Sequence, residues 1–176
     1  MKLSSWNRLV AIWGVVGVFL IIGQALLRLT PIAWEPIADG SLTPTQAGIY
    51  GFWVVFNAYA EGYRGFQLAF CPRVVSRALW LSQNPRPLFV LLAPLFCMSF
   101  FHTTRRQKIV TWCLLIGILV LVLSVSRAPQ PWRGIVDGGV VVGLGWGLCS
   151  LGITFVRALI RGDLEADPAL PEEAPN

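Results

Sequence analysis

The chain has 176 residues, of which 55% are apolar and only 13% charged, with a mean hydropathy of +0.64. Soluble domains carry about 25% charged residues, so roughly half the usual solubilising charge is missing and a water-soluble globular domain is excluded. The net charge of +5 hides an asymmetry: five of the nine acids (Asp163, Glu165, Asp167, Glu172, Glu173) fall in the last fourteen residues, and all 14 Lys and Arg precede them. Those basic residues are spread between apolar runs rather than gathered on one face. That is the pattern of short loops beside an anionic membrane surface, so the expected partner is the lipid bilayer and not nucleic acid.

Taken in chain order, the uncharged runs give an all-α, multi-pass helical membrane protein. Leu9 to Leu27 is long enough to cross a hydrocarbon core of about 30 Å at about 1.5 Å per residue, and it lacks the short core and small-residue cleavage site of a signal peptide. Residues 29–44, punctuated by Pro31, Pro36, Gly40 and Pro44, read as a loop with Trp34 at headgroup level. A second span follows at about 45–62, interrupted by Asn57 and continuing as helix to Pro72. Residues 73–81 place Val74, Val75, Ala78, Leu79 and Leu81 broadly on one side with Arg73 and Arg77 on the other, an amphipathic helix suited to the interface. Residues 88–104 are apolar but carry Pro94 at their middle, so they form either a kinked span or a re-entrant hairpin. Two spans close the domain, at 109–126 and 138–156. Residues 1–162 thus form one transmembrane domain, and the acidic, Pro-rich stretch 163–176 reads as a disordered tail.

The positive-inside rule weighs the ambiguous segment. With a cytoplasmic N-terminus and five spans, the Lys and Arg divide eight against six, which is hardly a bias. If 88–104 returns to the side it came from, they divide eleven against three, with only Arg28, Arg127 and Arg133 outside. Charge therefore favours four spans plus a re-entrant segment, in a bacterial-type inner membrane, while hydropathy favours five.

Ionisable groups cost about 2.5–3.5 kcal/mol each at the centre of a span, so the few near span ends are the candidates for chemistry. Glu61 and Arg64, three apart, are spaced to pair along one helix face, as are Arg133 and Asp137, four apart. With Asn57 they form a candidate polar site. Five spans would let the two pairs converge, and four would put them on opposite faces. Gly139, Gly143 and Gly147 make a small-residue stripe on the last span, a signal for close helix packing against the first span (Gly14, Gly17), the second (Ala47, Gly51) or another subunit.

No catalytic motif is visible: HExxH, GxSxG and a phosphate loop are all missing from the sequence. The single histidine, His102, cannot supply two haem ligands, and Cys71, Cys97, Cys113 and Cys149 include no CxxC pair, so neither a metal nor a cofactor is expected. The sequence thus points to a non-enzymatic accessory, assembly or scaffold subunit of a membrane complex, acting by helix packing or self-association through the last span. The alternatives are a small transporter or channel component using the polar site, and a lipid, quinone or pigment binder in a glycine-lined groove.

Overall fold

The structure, a computed structural model, describes residues 5–161 and 167–170. Among them every regular element is helical: α1 (Ser5–Ala38), α2 (Pro44–Asn57), a π-helix (Ala58–Phe70), α3 (Cys71–Gln83), α4 (Pro87–Leu91), α5 (Ala93–Cys97), α6 (Arg105–Val125) and α7 (Trp132–Arg161). Three of these, over Trp6–Ala38, Arg105–Val125 and Trp132–Arg161, are long and apolar enough to cross a membrane.

The first helix overruns the loop expected at 29–44, passing through Pro31 and Pro36 to Ala38. A proline inside a helix removes an N–H and leaves the carbonyl four residues earlier without its donor. For Pro36 that carbonyl is Ile32 O, and the Gln130 side chain donates to it at 3.4 Å. The Pro36 ring is itself fully buried. Tertiary contacts thus replace the bond that sequence reasoning counted as a break.

Thr43 then opens α2 with a capping box: its side chain accepts from the Gln46 N–H while Gln46 accepts from the Thr43 N–H, and Pro44 fills the first turn. The backbone stays right-handed helical at Asn57, Ala58, Phe70 and Cys71, so α2, the π-helix and α3 form one unbroken rod from Pro44 to Gln83. Pro72 lies inside this rod and has no N–H to extend the bond that Cys71 makes to Phe66 O, and the change from π to α bonding falls at this point.

The expected apolar face of α3 is correct, since Val74, Val75, Ala78, Leu79 and Leu81 are all buried. Arg77, expected on the polar face, is fully buried too. Far from lying half in the interface, α3 is covered by α1, α5, α7 and the π-helix.

The ambiguous stretch 88–104 forms no single helix. It breaks into the five-residue helices α4 and α5, and the chain turns at Ser99 and His102, both in the left-handed region at φ 66° and 48°. Pro94 and Ala93 of α5 lie against Gly17 and Gly14 of α1, and a side chain at either glycine would strike α5. Trp13 adds a hydrogen bond to Val90 O at 3.0 Å. Beyond the turn, Phe101 O and His102 O come back to the Arg77 guanidinium, which also holds Phe96 O of α5. The segment therefore doubles back on α3.

α1 and α7 run antiparallel, with Pro36 against Gly134 at one end, while Phe19 shares a shallow groove with Leu148 and Gly152 farther along. The core gathers α1, α3, α5 and the C-terminal half of α7. α6, capped by Thr104, begins beside α5 and ends at the loop whose Gln130 reaches Ile32, so it travels the length of the bundle, yet none of its 21 residues is buried.

Of the tail expected to be disordered, residues 167–170 are held in place: Thr103 Oγ1 and the Thr104 N–H both donate to Ala169 O, at 2.8 and 3.0 Å. The remainder of 163–176 lies outside the described residues.

Candidate functional site

The residues singled out from the sequence, Arg64 excepted, fall along one seam, between α7 and the rod of α2 and the π-helix. Chain numbers rise together across it. The Tyr50 hydroxyl fills the space a side chain at Gly138 would need, Trp53 and Asn57 crowd Gly139, Glu61 covers Gly143, and the Phe66 ring covers Gly147. The two helices are therefore parallel, and the glycine stripe lets them approach until side chains of one rest on the backbone of the other. The partner of the stripe is the second helix of the same chain. It is met at Trp53, Asn57, Glu61 and Phe66 and not at Ala47 and Gly51, of which Gly51 has open space beside it. Gly14 and Gly17 serve a different purpose, seating α5.

Four polar side chains of the seam find partners on the seam itself or on α1. Asn57, 2% exposed, donates through Nδ2 to Trp53 O at 2.8 Å. The Trp53 Nε1–H reaches across to Val136 O at 3.3 Å, and Tyr50 OH donates to Ala33 O of α1 at 3.1 Å. Trp146 of α7 rests on Gly62 and donates to Gln67 Oε1 at 2.8 Å.

The two expected charge pairs behave differently. Arg133 and Asp137 do pair, Nε to Oδ2 at 3.8 Å, with Asp137 only 7% exposed. That distance is a long ion pair and not a hydrogen bond, and Arg133 Nε is buried without an acceptor. Glu61 and Arg64 form no ion pair among the described residues; both are exposed. The π-helix explains the difference. Its i→i+5 bonding widens each turn, so residues three apart diverge around the axis instead of lying above one another as in an α-helix. Asp137 and Glu61 sit at separate levels of the seam, since Glu61 lies over Gly143, six residues or about 9 Å along α7 from Asp137. The structure thus lines up Asn57, Glu61, Asp137 and Arg133 along one interface without gathering them into one cluster, and it turns Arg64 outward. Among the described residues no group of three or more His, Cys, Asp or Glu side chains could hold a metal ion.

Sequence reasoning missed the strongest polar cluster. Arg77 is 0% exposed and spends four hydrogen bonds on backbone carbonyls: Nε to Phe96 O at 2.7 Å, Nη1 to Pro168 O at 2.9 Å, and Nη2 to Phe101 O and His102 O at 3.0 Å each. Its guanidinium carbon lies 4.1 Å from the centre of the Phe96 ring. Burial, aided by the neighbouring Arg73 charge, pushes the guanidinium down to about 10, so it remains a cation at neutral pH. The available signal was an arginine within a buried apolar pattern, but a long cationic side chain also snorkels from such positions, and only the packed neighbours distinguish the two. Compared with known proteins, the chain matches no family model, no curated protein and no solved structure.

Proposed function

We propose that this chain is a four-span inner-membrane protein with a cytoplasmic N-terminus, acting by helix packing as an accessory or assembly subunit of a membrane complex, with α6 as its packing element. The observation that carries this reading is the state of α6: an apolar helix of 21 residues with none buried in its own chain. The glycine stripe on α7, the sequence's candidate for that role, is occupied by the chain's own second helix. The proposed occupant of α6 is an apolar membrane helix of a different protein, one that brings the small residues for close approach which α6, with Gly117 as its one glycine, does not supply.

The four-span topology rests on two supports. The rod from Pro44 returns the chain to the end where α1 begins, and 88–104 doubles back there, so α6 and α7 make a second hairpin. Arg73, Arg77, Arg105, Arg106, Arg157 and Arg161 then share an end with Arg8, while Arg127 and Arg133 lie at the other, as the positive-inside rule requires. Cysteine substitutions at Thr104 and Arg133 test it: impermeant maleimide applied from outside should label position 133 and spare 104, and the reverse pattern, 104 labelled and 133 spared, would show five spans and overturn four.

For the function, a photo-crosslinking residue placed at Leu114 or Ile118 in native membranes should yield an adduct of defined mass with one other membrane protein. Adducts with lipid alone, or with a second copy of this chain, would remove the accessory reading. The transporter alternative loses support because Glu61, Arg64, Arg133 and Asp137 do not gather into one site.

A further inference from the structure

The guanidinium of Arg77 is a full charge buried among neutral acceptors. Three of its hydrogen bonds, to Phe96 O, Phe101 O and His102 O, come from α5 and the turn after it, and they fix the plane of the group. The fourth, from Nη1, goes to Pro168 O in the C-terminal segment. Two more donors point at that segment, Thr103 Oγ1 and the Thr104 N–H, both to Ala169 O. One guanidinium nitrogen, one hydroxyl and one backbone N–H therefore converge on two carbonyl oxygens of adjacent residues.

Such a donor set suits an oxyanion better than the peptide that fills it. Hydrogen bonds from a cation to an anionic oxygen are about twice as strong as neutral ones, and among the described residues no carboxylate hydrogen-bonds Arg77. The peptide is also held under strain, because Ala169 sits at φ 49°, in the left-handed region that an L-residue enters only at a cost. The Asp167 side chain accepts from the Ala169 N–H at 2.8 Å and so closes a local turn within the segment. If the segment withdraws, Nη1 loses its acceptor while Nε and Nη2 keep theirs, leaving a fixed cation with one free edge.

We propose that residues 167–170 are a tethered plug in an oxyanion site, and that on their withdrawal Arg77 Nη1, Thr103 Oγ1 and the Thr104 N–H bind the oxygens of a phosphate group. Arg105, Arg106 and Lys108 in the first turn of α6 add positive potential beside it. The phosphate is that of an anionic lipid headgroup or of the free ion. This site is separate from the packing surface assigned to α6 and stands or falls independently of it.

Hydrogen exchange in nanodiscs tests the proposal, using the full chain and a chain ending at Arg161, and reading the peptide that contains the Thr104 amide. In discs of neutral phosphatidylcholine, truncation should speed exchange there, and inorganic phosphate should slow it again by about tenfold, the scale of one strong charge-assisted hydrogen bond. The full chain should respond far less. Discs containing phosphatidylglycerol, without added phosphate, distinguish the sources: protection there assigns a lipid headgroup, and protection by inorganic phosphate alone assigns the free ion. Adding Arg77→Lys to the truncated chain keeps a positive charge but not the fixed fork, so it should abolish the phosphate response with α7 exchange unchanged. If that variant disturbs α7, Thr103→Val takes its place and should weaken the response. Absence of protection by either anion, or equal responses from full and truncated chains, overturns the proposal.

Discussion

Helices α6 and α7 are both long and apolar enough to cross a membrane, yet 33% of the most apolar window of α7 is buried within the chain and 0% of that of α6. Side-chain size separates them. Seven glycines punctuate α7, and those at 134, 138, 139, 143 and 147 each lie under a residue of α1, α2 or the π-helix, whereas the one glycine of α6, Gly117, has nothing beside it. Where lipid tails are as apolar as leucine, apolar area does not drive helices together, and close backbone approach does. Apolarity fits both helices to a bilayer; the small residues decide which one packs on its own chain.

Substitutions can break this contrast, and the largest effect belongs to the packed side. Arg77→Met should remove four hydrogen bonds and orphan buried carbonyls at about 1–3 kcal/mol each, so a loss of about 3 kcal/mol or more is expected in denaturant unfolding in detergent. A loss below about 0.5 kcal/mol, the scatter of neutral surface changes, would show that the carbonyl cradle is not structural. Gly139→Leu comes next: a Cβ there would lie 2.6 Å from both Trp53 and Asn57, so a cost of about 1–3 kcal/mol is expected by the same measurement, or misfolding outright. Thr43→Ala, which removes the capping box of α2, should cost about 1 kcal/mol and leave the seam intact. Gly117→Leu on α6 should stay within about 0.5 kcal/mol, and a larger loss would mean that α6 packs on its own chain after all.

Much of the architecture was legible along the chain. Uncharged runs located the helices now seen as α1, α2, α6 and α7, the amphipathic pattern picked out the buried face of α3, and Pro94 marked the stretch that fails to form one helix. Two local rules misled. Pro31 and Pro36 read as loop punctuation, but Gln130 replaces the donor that Pro36 removes, from 94 residues away in sequence. Spacing of three suggested a Glu61–Arg64 pair, but that rule belongs to the α-helix and these residues lie in a π-helix. Spacing along the chain singled out Asn57, Glu61, Arg64, Arg133 and Asp137 but did not give their arrangement, because which side of each helix faces which neighbour depends on how the rods pack.

The sequence by itself determined that this chain is helical and apolar enough for a bilayer, since hydropathy, helix period and charge placement are properties of consecutive residues. Only the tertiary structure decided that the glycine stripe serves the second helix, that Arg77 is buried among carbonyls, and that residues 167–170 of an acidic tail close over it. Each of those outcomes depends on groups far apart in the chain meeting within hydrogen-bond or van der Waals distance, and no local pattern encodes which of several chemically equivalent partners arrives.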